Sequence, residues 1–350
     1  MKILRFTGLT VLAAILFFAL FIAYSTLTYY NPKQELLIEE NPRPDTIRCD
    51  SILKILSWNI GYAGLGDNMD FFYDGGKKVR DTFSRTKANL DSIIKFLSNN
   101  RSNTFFLIQE VDYYSKRSYF INELDTIVGK IGYNANLAPN YVVKFVPIPL
   151  TSPMGQVNSG ILSLSKYLPK NSIRYAYPGK FGWPTRLFNL RRCMLVNRYP
   201  TKNGKEFILI NTHMSAFDDG SLKKQEMVFL RNYILNEYSK GNYVLVGGDW
   251  NQCPSDFKLN TFGENFKVDF FKLSNISNDF MPSDWKFIDD PKQPTNRYLN
   301  EPFSLGKTYS SIIDLFLISP NIELVHNKTF NLNFKNSDHN PISMEFKLKQ

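Results

Sequence analysis

The sequence predicts an α/β protein, a sandwich of two β-sheets flanked by helices and preceded by one N-terminal membrane-crossing helix. Three observations carry this reading. Short runs of β-branched and aromatic residues recur from Leu53 to the end of the chain. Between them only a few stretches show helical spacing, and strands in such excess bury their apolar faces as layered sheets covered by helices. The amino terminus differs from all that follows, being uncharged from Phe6 to Pro32.

That terminal stretch comes first. Lys2 and Arg5 precede it, and Leu9 to Leu27 is almost wholly apolar. About 20 such residues span a bilayer as a helix, and with no polar face the run is unsuited to an amphipathic core helix. The cationic flank predicts a cytoplasmic N-terminus with everything after residue 32 outside the cytoplasm. A cleaved secretory signal, cut near Ala23-Tyr24-Ser25, is the other reading. The run exceeds a usual signal core, which favours an uncleaved anchor over residues 1–32. Residues 33–51 hold Pro42 and Pro44 among acidic and polar residues and read as a tether. Residues 52–350 show no repeat, low-complexity block or internal boundary and read as one domain.

Within that domain, strands are expected at 53–58, 104–108, 142–146, 160–165, 193–198, 206–210, 243–247, 312–319 and 341–348. Helices are expected at about 84–98, 118–130 and 221–239. In the first, Leu90, Ile93, Ile94 and Leu97 share a face, as do Leu222, Met227, Leu230 and Ile234 in the last. Three loops stand out. Residues 61–82 are rich in Gly and Asp and carry Lys77, Lys78 and Arg80. Residues 147–159 are rich in Pro and Gly. Residues 175–192 mix Tyr177, Phe181 and Trp183 with Arg186, Arg191 and Arg192. Aromatic side chains and arginines together can stack on or clamp a phosphorylated ligand.

Composition narrows the function classes. The net charge is +10, from 42 Lys and Arg against 32 Asp and Glu, which suits nucleic acid, acidic lipid or phosphorylated small molecules. The cations are dispersed, however, so a solvated basic surface explains them equally well. Three cysteines, Cys49, Cys193 and Cys253, are too few for a disulfide framework, and no zinc-type spacing occurs.

The chemistry sits in polar clusters that follow or precede apolar strands. In order they are Trp58-Asn59-Ile60, Gln109-Glu110-Val111, Asn211-Thr212-His213, Gly248-Asp249-Trp250-Asn251 and Ser337-Asp338-His339. Asp314 lies inside the apolar run 312–318, where a carboxylate is costly unless paired. It is therefore a candidate partner for one of only three histidines. Singly, each cluster reads as an ordinary turn. Five in succession at strand ends point to a site.

This ordered set resembles the endonuclease/exonuclease/phosphatase superfamily, the deoxyribonuclease-I-like fold, over roughly residues 52–348. The resemblance implies a metal site built from Glu110 with Asn59 and Asp338, holding Mg²⁺ or Mn²⁺. It implies catalytic roles for His213, Asp249, Asn251, Asp314 and His339. Asp249 would orient and deprotonate the attacking water, Asn251 would donate to a phosphoryl oxygen, and both imidazoles would face the phosphate. Asp314 would orient His339, and the general base stays open between Asp249 and His339. Lys77, Arg80, Trp183 and Arg186 are the candidate substrate contacts. The expected function is metal-dependent phosphodiester hydrolysis of nuclease type by a monomeric enzyme tethered outside the cytoplasm. A phospholipid or sphingolipid headgroup phosphodiesterase and a catalytically silent binding protein are the alternatives. A nuclease would weaken steeply with salt, a headgroup enzyme would ignore polynucleotides, and a silent protein would turn over no activated phosphodiester.

Overall fold

A computed structural model describes residues 2–258, 261–262 and 273–349. Four helices are present among them: α1 (Lys2–Leu27), α2 (Phe83–Asn99), α3 (Glu123–Ile131) and α4 (Ser221–Ser239). The strands begin with β1 (Glu35–Glu40), β2 (Leu53–Asn59), β3 (Phe105–Asp112), β4 (Asn134–Val146) and β5 (Gly155–Ser165). Next come β6 (Asn171–Ala176), β7 (Cys193–Pro200), β8 (Glu206–His213), β9 (Tyr243–Asp249) and β10 (Lys286–Ile288). The last are β11 (Asn296–Arg297), β12 (Ser310–Ser311), β13 (Asp314–Ile318), β14 (Ile322–Thr329) and β15 (Ile342–Leu348).

Two mixed sheets form the sandwich. One has the order β1-β6-β7-β8-β9-β13-β10 and the other β14-β15-β2-β3-β5-β4, with β11 and β12 a small separate ladder. Residue alternation decides what each face buries. Along β2, Leu53 and Ile55 point between the sheets, where they meet Phe105, Leu107, Phe207, Leu209 and Phe316. Leu56 and Trp58 point outward, under the apolar faces of α2 and α3. On the opposite sheet, Met227, Leu230 and Ile234 of α4 cover Ile208, Ile210, Val244 and Val246. The central strands are thus buried on both faces, which is why they read as continuous apolar runs. The expected face of α2 is the buried one, and the helix starts where Thr82 accepts a hydrogen bond from the Arg85 amide (3.3 Å).

Three differences from the sequence reading have physical causes. Residues 33–51 are not a free tether. Within them β1 pairs antiparallel with β6, and Ile47 and Cys49 are buried in the intersheet core. The run Glu35-Leu36-Leu37-Ile38-Glu39-Glu40 brackets an apolar centre, of which Leu37 stays exposed, with charges that keep an edge strand from pairing further. The helix expected from 118 begins at Glu123 instead, because Tyr119 and Phe120 adopt positive φ (56° and 58°) and Asn122 then caps it. Strands β6, β10, β11, β12 and β14 carry no apolar strand signal: β10, β11 and β12 are two or three residues long, β6 turns Ser172 and Arg174 inward, and β14 is half exposed and largely polar.

Helix α1 is long and apolar enough to cross a membrane, as a signal sequence also is. Residues 5–20 project from the domain, exposed throughout. Its last turns do rest on the domain. The Phe21 ring stacks on Phe188 (centroids 5.6 Å apart, 7° between planes) and meets Phe145 edge-on at 6.1 Å.

Because Ile47 fills the core, Ile47→Ala should destabilise the full chain in detergent by ~2–5 kcal/mol in urea unfolding. A loss below about 0.5 kcal/mol, typical of a surface site, would return 33–51 to the status of a loose linker.

Candidate active site

Strand direction gathers the polar clusters. β2 and β3 run parallel, as do β8 and β9, so their C-terminal residues lie at the same end of the sandwich. β13 and β15 run antiparallel to these neighbours, so their N-terminal ends arrive there too. In one sheet His213 pairs across from Asp249, and Asp249 across from Asp314. The other sheet contributes Asn59 and Glu110 from adjacent strands, with the loop entering β15 supplying Asp338 and His339.

Local backbone adjustments aim these side chains. The β3–β5 register slips between Ile108 and Val111, and Glu110 has φ 57°. This bulge sends Gln109 inward, where it donates to Asn211 Oδ1 (2.8 Å), and turns Glu110 toward the cavity. Two glycines permit close approach. A Cβ on Gly61 (φ 51°) would lie 2.7 Å from Asp338 Oδ1, and one on Gly248 (φ 140°) would lie 2.0 Å from the Thr212 carbonyl oxygen.

The side chains form one connected cluster. Asn59 Nδ2 donates to Asp249 Oδ2 (3.0 Å) and Glu110 Oε1 (3.2 Å), while its Oδ1 accepts from the Gly61 amide (3.0 Å). His339 Nδ1 and Asp314 Oδ2 are 2.7 Å apart, and His339 Nε2 faces Asp249 Oδ2 at 3.7 Å. His213 Nε2 lies 3.4 Å from the same Asp249 oxygen. Asp249 Oδ1 is fixed by the Asn251 amide (2.9 Å), and the Asn251 side chain donates to the Met214 carbonyl (2.9 Å). His339 is tied to the opposite face of its sheet, because Trp58 Nε1 donates to its carbonyl oxygen (2.9 Å).

Charge is distributed unevenly. Burial opposes a charged His339, but the carboxylates of Asp314, Asp338 and Asp249 outweigh it and hold this imidazole well above its ordinary value. His213 moves the other way, driven well down by burial and by the Arg192 guanidinium. The two imidazoles are thus held as one cation and one neutral ring. Burial pushes the Asp338 carboxyl up to about 6, with the Glu110 charge adding to it, and burial also raises Asp249.

The donor set fits a hard divalent cation. Glu110 and Asp338 present carboxylate oxygens to the cavity and repel one another, a conflict that an ion between them relieves. Asn59 is turned with its amide nitrogen toward the Glu110 and Asp249 carboxylates, so in this orientation it steers those two as a donor. Asp249, Asp314 and His339 also bring three ligand atoms within 4.8 Å of one another. The shortest link in that trio is the His339–Asp314 hydrogen bond, and Asp314 is fully buried. An ion there would have to break that bond, so the open Glu110–Asp338 side is the better seat.

The cavity above this cluster has a volume of about 370 Å³. The four expected substrate contacts do not line it. Lys77 is exposed on its loop, and Arg80 reaches the Lys116 carbonyl (3.3 Å) and the Tyr119 ring. Trp183 and Arg186 instead meet Thr26 and Tyr29, beside the end of α1. The cations that do line the cavity are Arg117, Lys180, Arg192 and Arg297. Arg117 is committed to Asp112 through two hydrogen bonds (2.9 and 3.0 Å), and Arg297 donates to the Gly66 and Met69 carbonyls (2.7 and 3.1 Å). Arg192 has no carboxylate partner among the described residues, and its Nη1 is buried without a hydrogen bond. Asn296 was also missed by sequence reasoning. Its Nδ2 lies 3.1 Å from His339 Nε2, on a two-residue strand that carries no periodic signal.

The fold recurs in solved structures. An endonuclease/exonuclease/phosphatase from Beutenbergia cavernae DSM 12333 is 15% identical over 85% of this chain and 72% of that one, with a TM-score of 0.58. ANGEL2, a 2',3'-cyclic phosphatase in complex with adenosine-2',3'-vanadate, is 14% identical over 85% and 96% of the two chains, at 0.55. D. rerio TDP2 complexed with single strand DNA product is 14% identical over 85% and 100%, at 0.50. No curated protein matches the sequence significantly. The profile of the Endonuclease/Exonuclease/phosphatase family matches residues 56–339, a span holding every residue of the cluster. The chain therefore belongs to that family of phosphoester hydrolases.

Proposed function

We propose that this protein hydrolyses phosphodiester bonds by metal-assisted, in-line attack of water, on the side of a membrane opposite its N-terminus. One observation carries the reading. A connected Glu110–Asn59–Asp249–His339–Asp314 cluster floors a cavity that also holds Arg192, a guanidinium lacking a carboxylate partner. Such a cavity suits an anion flanked by a proton acceptor and a proton donor.

The geometry supports one role for each residue. Asp249 accepts the proton of the attacking water and is held in place by the Asn251 amide and Asn59. His339, cationic through Asp314, donates to a non-bridging oxygen as negative charge grows there. His213 is neutral and offers a hydrogen bond without adding charge beside Arg192. Arg192 neutralises the phosphate, and Lys180 extends the positive wall. Glu110, oriented by Asn59, and Asp338 would hold Mg²⁺ or Mn²⁺, which would supply Lewis acidity at the phosphoryl oxygens. Asn251 is engaged with Met214 and positions Asp249. A nuclease-type substrate keeps the support of the +10 net charge, without that of the Lys77 and Arg80 loop.

The test is hydrolysis of bis(p-nitrophenyl) phosphate by the full chain in detergent with Mg²⁺ or Mn²⁺. No turnover with either ion would reject the catalytic reading. His339→Ala should lower kcat by about 10²–10⁴-fold with the melting transition retained; a near-wild-type rate excludes it from the chemistry. Glu110→Gln should raise the metal concentration for half-maximal activity by about tenfold or more, and an unchanged metal titration removes it as a ligand. Arg192→Ala should cost about 10²-fold in kcat/KM; an effect below about twofold would leave phosphate neutralisation to other groups.

A further inference from the structure

The end of α1 packs on Phe145 and Phe188, which belong to segments whose neighbouring residues line the active-site cavity. Phe21 lies about 9 Å of helix rise inside the end of α1 at Leu27. Counted from Arg5, it also falls within the roughly 20 residues that fill the hydrocarbon layer. With α1 across a membrane, whatever packs on Phe21 reaches bilayer depth. Two segments do so: Phe145, leading into the 147–154 loop, and Phe188, closing the 181–188 segment.

Both segments are equipped for that environment. Leu150 is 86% exposed at the tip of its turn, with Phe145 and Ile148 also exposed beside it. Trp183 is 57% exposed and its Nε1 lies 3.5 Å from Thr26 Oγ1. Arg186 sits over the Tyr29 ring at 5.8 Å. Exposed apolar side chains ringed by Trp, Tyr and Arg are the composition of a membrane–water interface. The same two segments also build the cavity: Ile148 lines it from one side, Phe181 and Thr185 from the other, with the flanking Lys180 and Asn189.

We propose that segments 145–150 and 181–188 rest in the membrane interface at the far end of α1, and that the active-site cavity opens onto the headgroup layer and takes the phosphoester of a membrane phospholipid as substrate. The substrate half rests on the phosphodiesterase reading above; the surface half rests on α1 crossing the membrane and not on the chemistry. Water adds to phosphorus, the P–O bond to the esterified alcohol breaks, and the water's proton ends on the departing alcohol oxygen. No redox partner is needed.

The test reconstitutes the full chain in vesicles of phosphatidylcholine, phosphatidylethanolamine and phosphatidylglycerol. Trp58, Trp250 and Trp285 are buried, so Trp183 is the tryptophan that an external quencher can reach. Lipids brominated on their acyl chains should quench part of the fluorescence, and W183F should remove that part. Quenching of Trp183 by aqueous acrylamide, with brominated lipid ineffective, overturns the surface. Leu150→Asp should lower hydrolysis of vesicle phospholipid by about tenfold while bis(p-nitrophenyl) phosphate turnover stays within about twofold. An equal effect on both, or hydrolysis of bis(p-nitrophenyl) phosphate with none of the three lipids, overturns the lipid substrate. Turnover of neither rejects the catalytic reading and the lipid substrate together, and the quenching still decides the surface.

Discussion

Four carboxylates buried or half-buried at one end of the sandwich are the charge problem to which the rest of the structure answers. Asp249 and Asp314 are register partners on neighbouring strands, and Asp338 and Glu110 face them from the other sheet. Unpaired carboxylates in such a setting would protonate or break the fold. Here His339 supplies one positive charge, Asn59 supplies N–H bonds to two carboxylates, and Arg117 neutralises Asp112 behind them. Arg117 also comes within 3.9 Å of Glu110, and carboxylate charge still remains in excess on the cavity side, at Glu110 and Asp338. The surplus is what a divalent ion answers, and the arrangement is costly to the fold unless it has that use.

The sandwich makes this concentration of charge geometrically feasible. Parallel pairs β2–β3 and β8–β9 bring strand ends to one edge, and antiparallel β13 and β15 start where the others stop. Six elements distant in sequence thereby contribute one or two residues each, while their apolar stretches make the core below. The chemistry needs only short polar codas on strands that are otherwise structural. The bulge at Glu110 and the glycines at 61 and 248 are the local adjustments that let these codas converge.

This division explains what could be read from the chain. The central strands and the site residues on them were legible because both faces are buried and the polar residues interrupt long apolar runs. Asp314 was legible for the same reason: a lone acid in an apolar strand requires a partner, and His339 is that partner. The edge strand β1 was not, since its charged ends mimic a linker, and neither was Asn296, on a strand too short for periodicity. The substrate contacts misled for another reason. Loop composition flagged Trp183 and Arg186 as ligand-facing, but composition does not say which way a loop turns, and both turn toward α1. Arg192, from the same loop, does reach the cavity because it directly precedes β7 and is held by that strand's position.

The hydrogen bond from Trp58 to the His339 carbonyl ties the reactive edge to the back of the molecule. Trp58 packs edge-on against Phe96 of α2, which in turn meets Phe330. A helix on the far surface is thus mechanically in series with the imidazole through a single indole ring. Repacking that remote aromatic stack would bear on the histidine's backbone through this one bond while every polar residue of the cluster stayed intact.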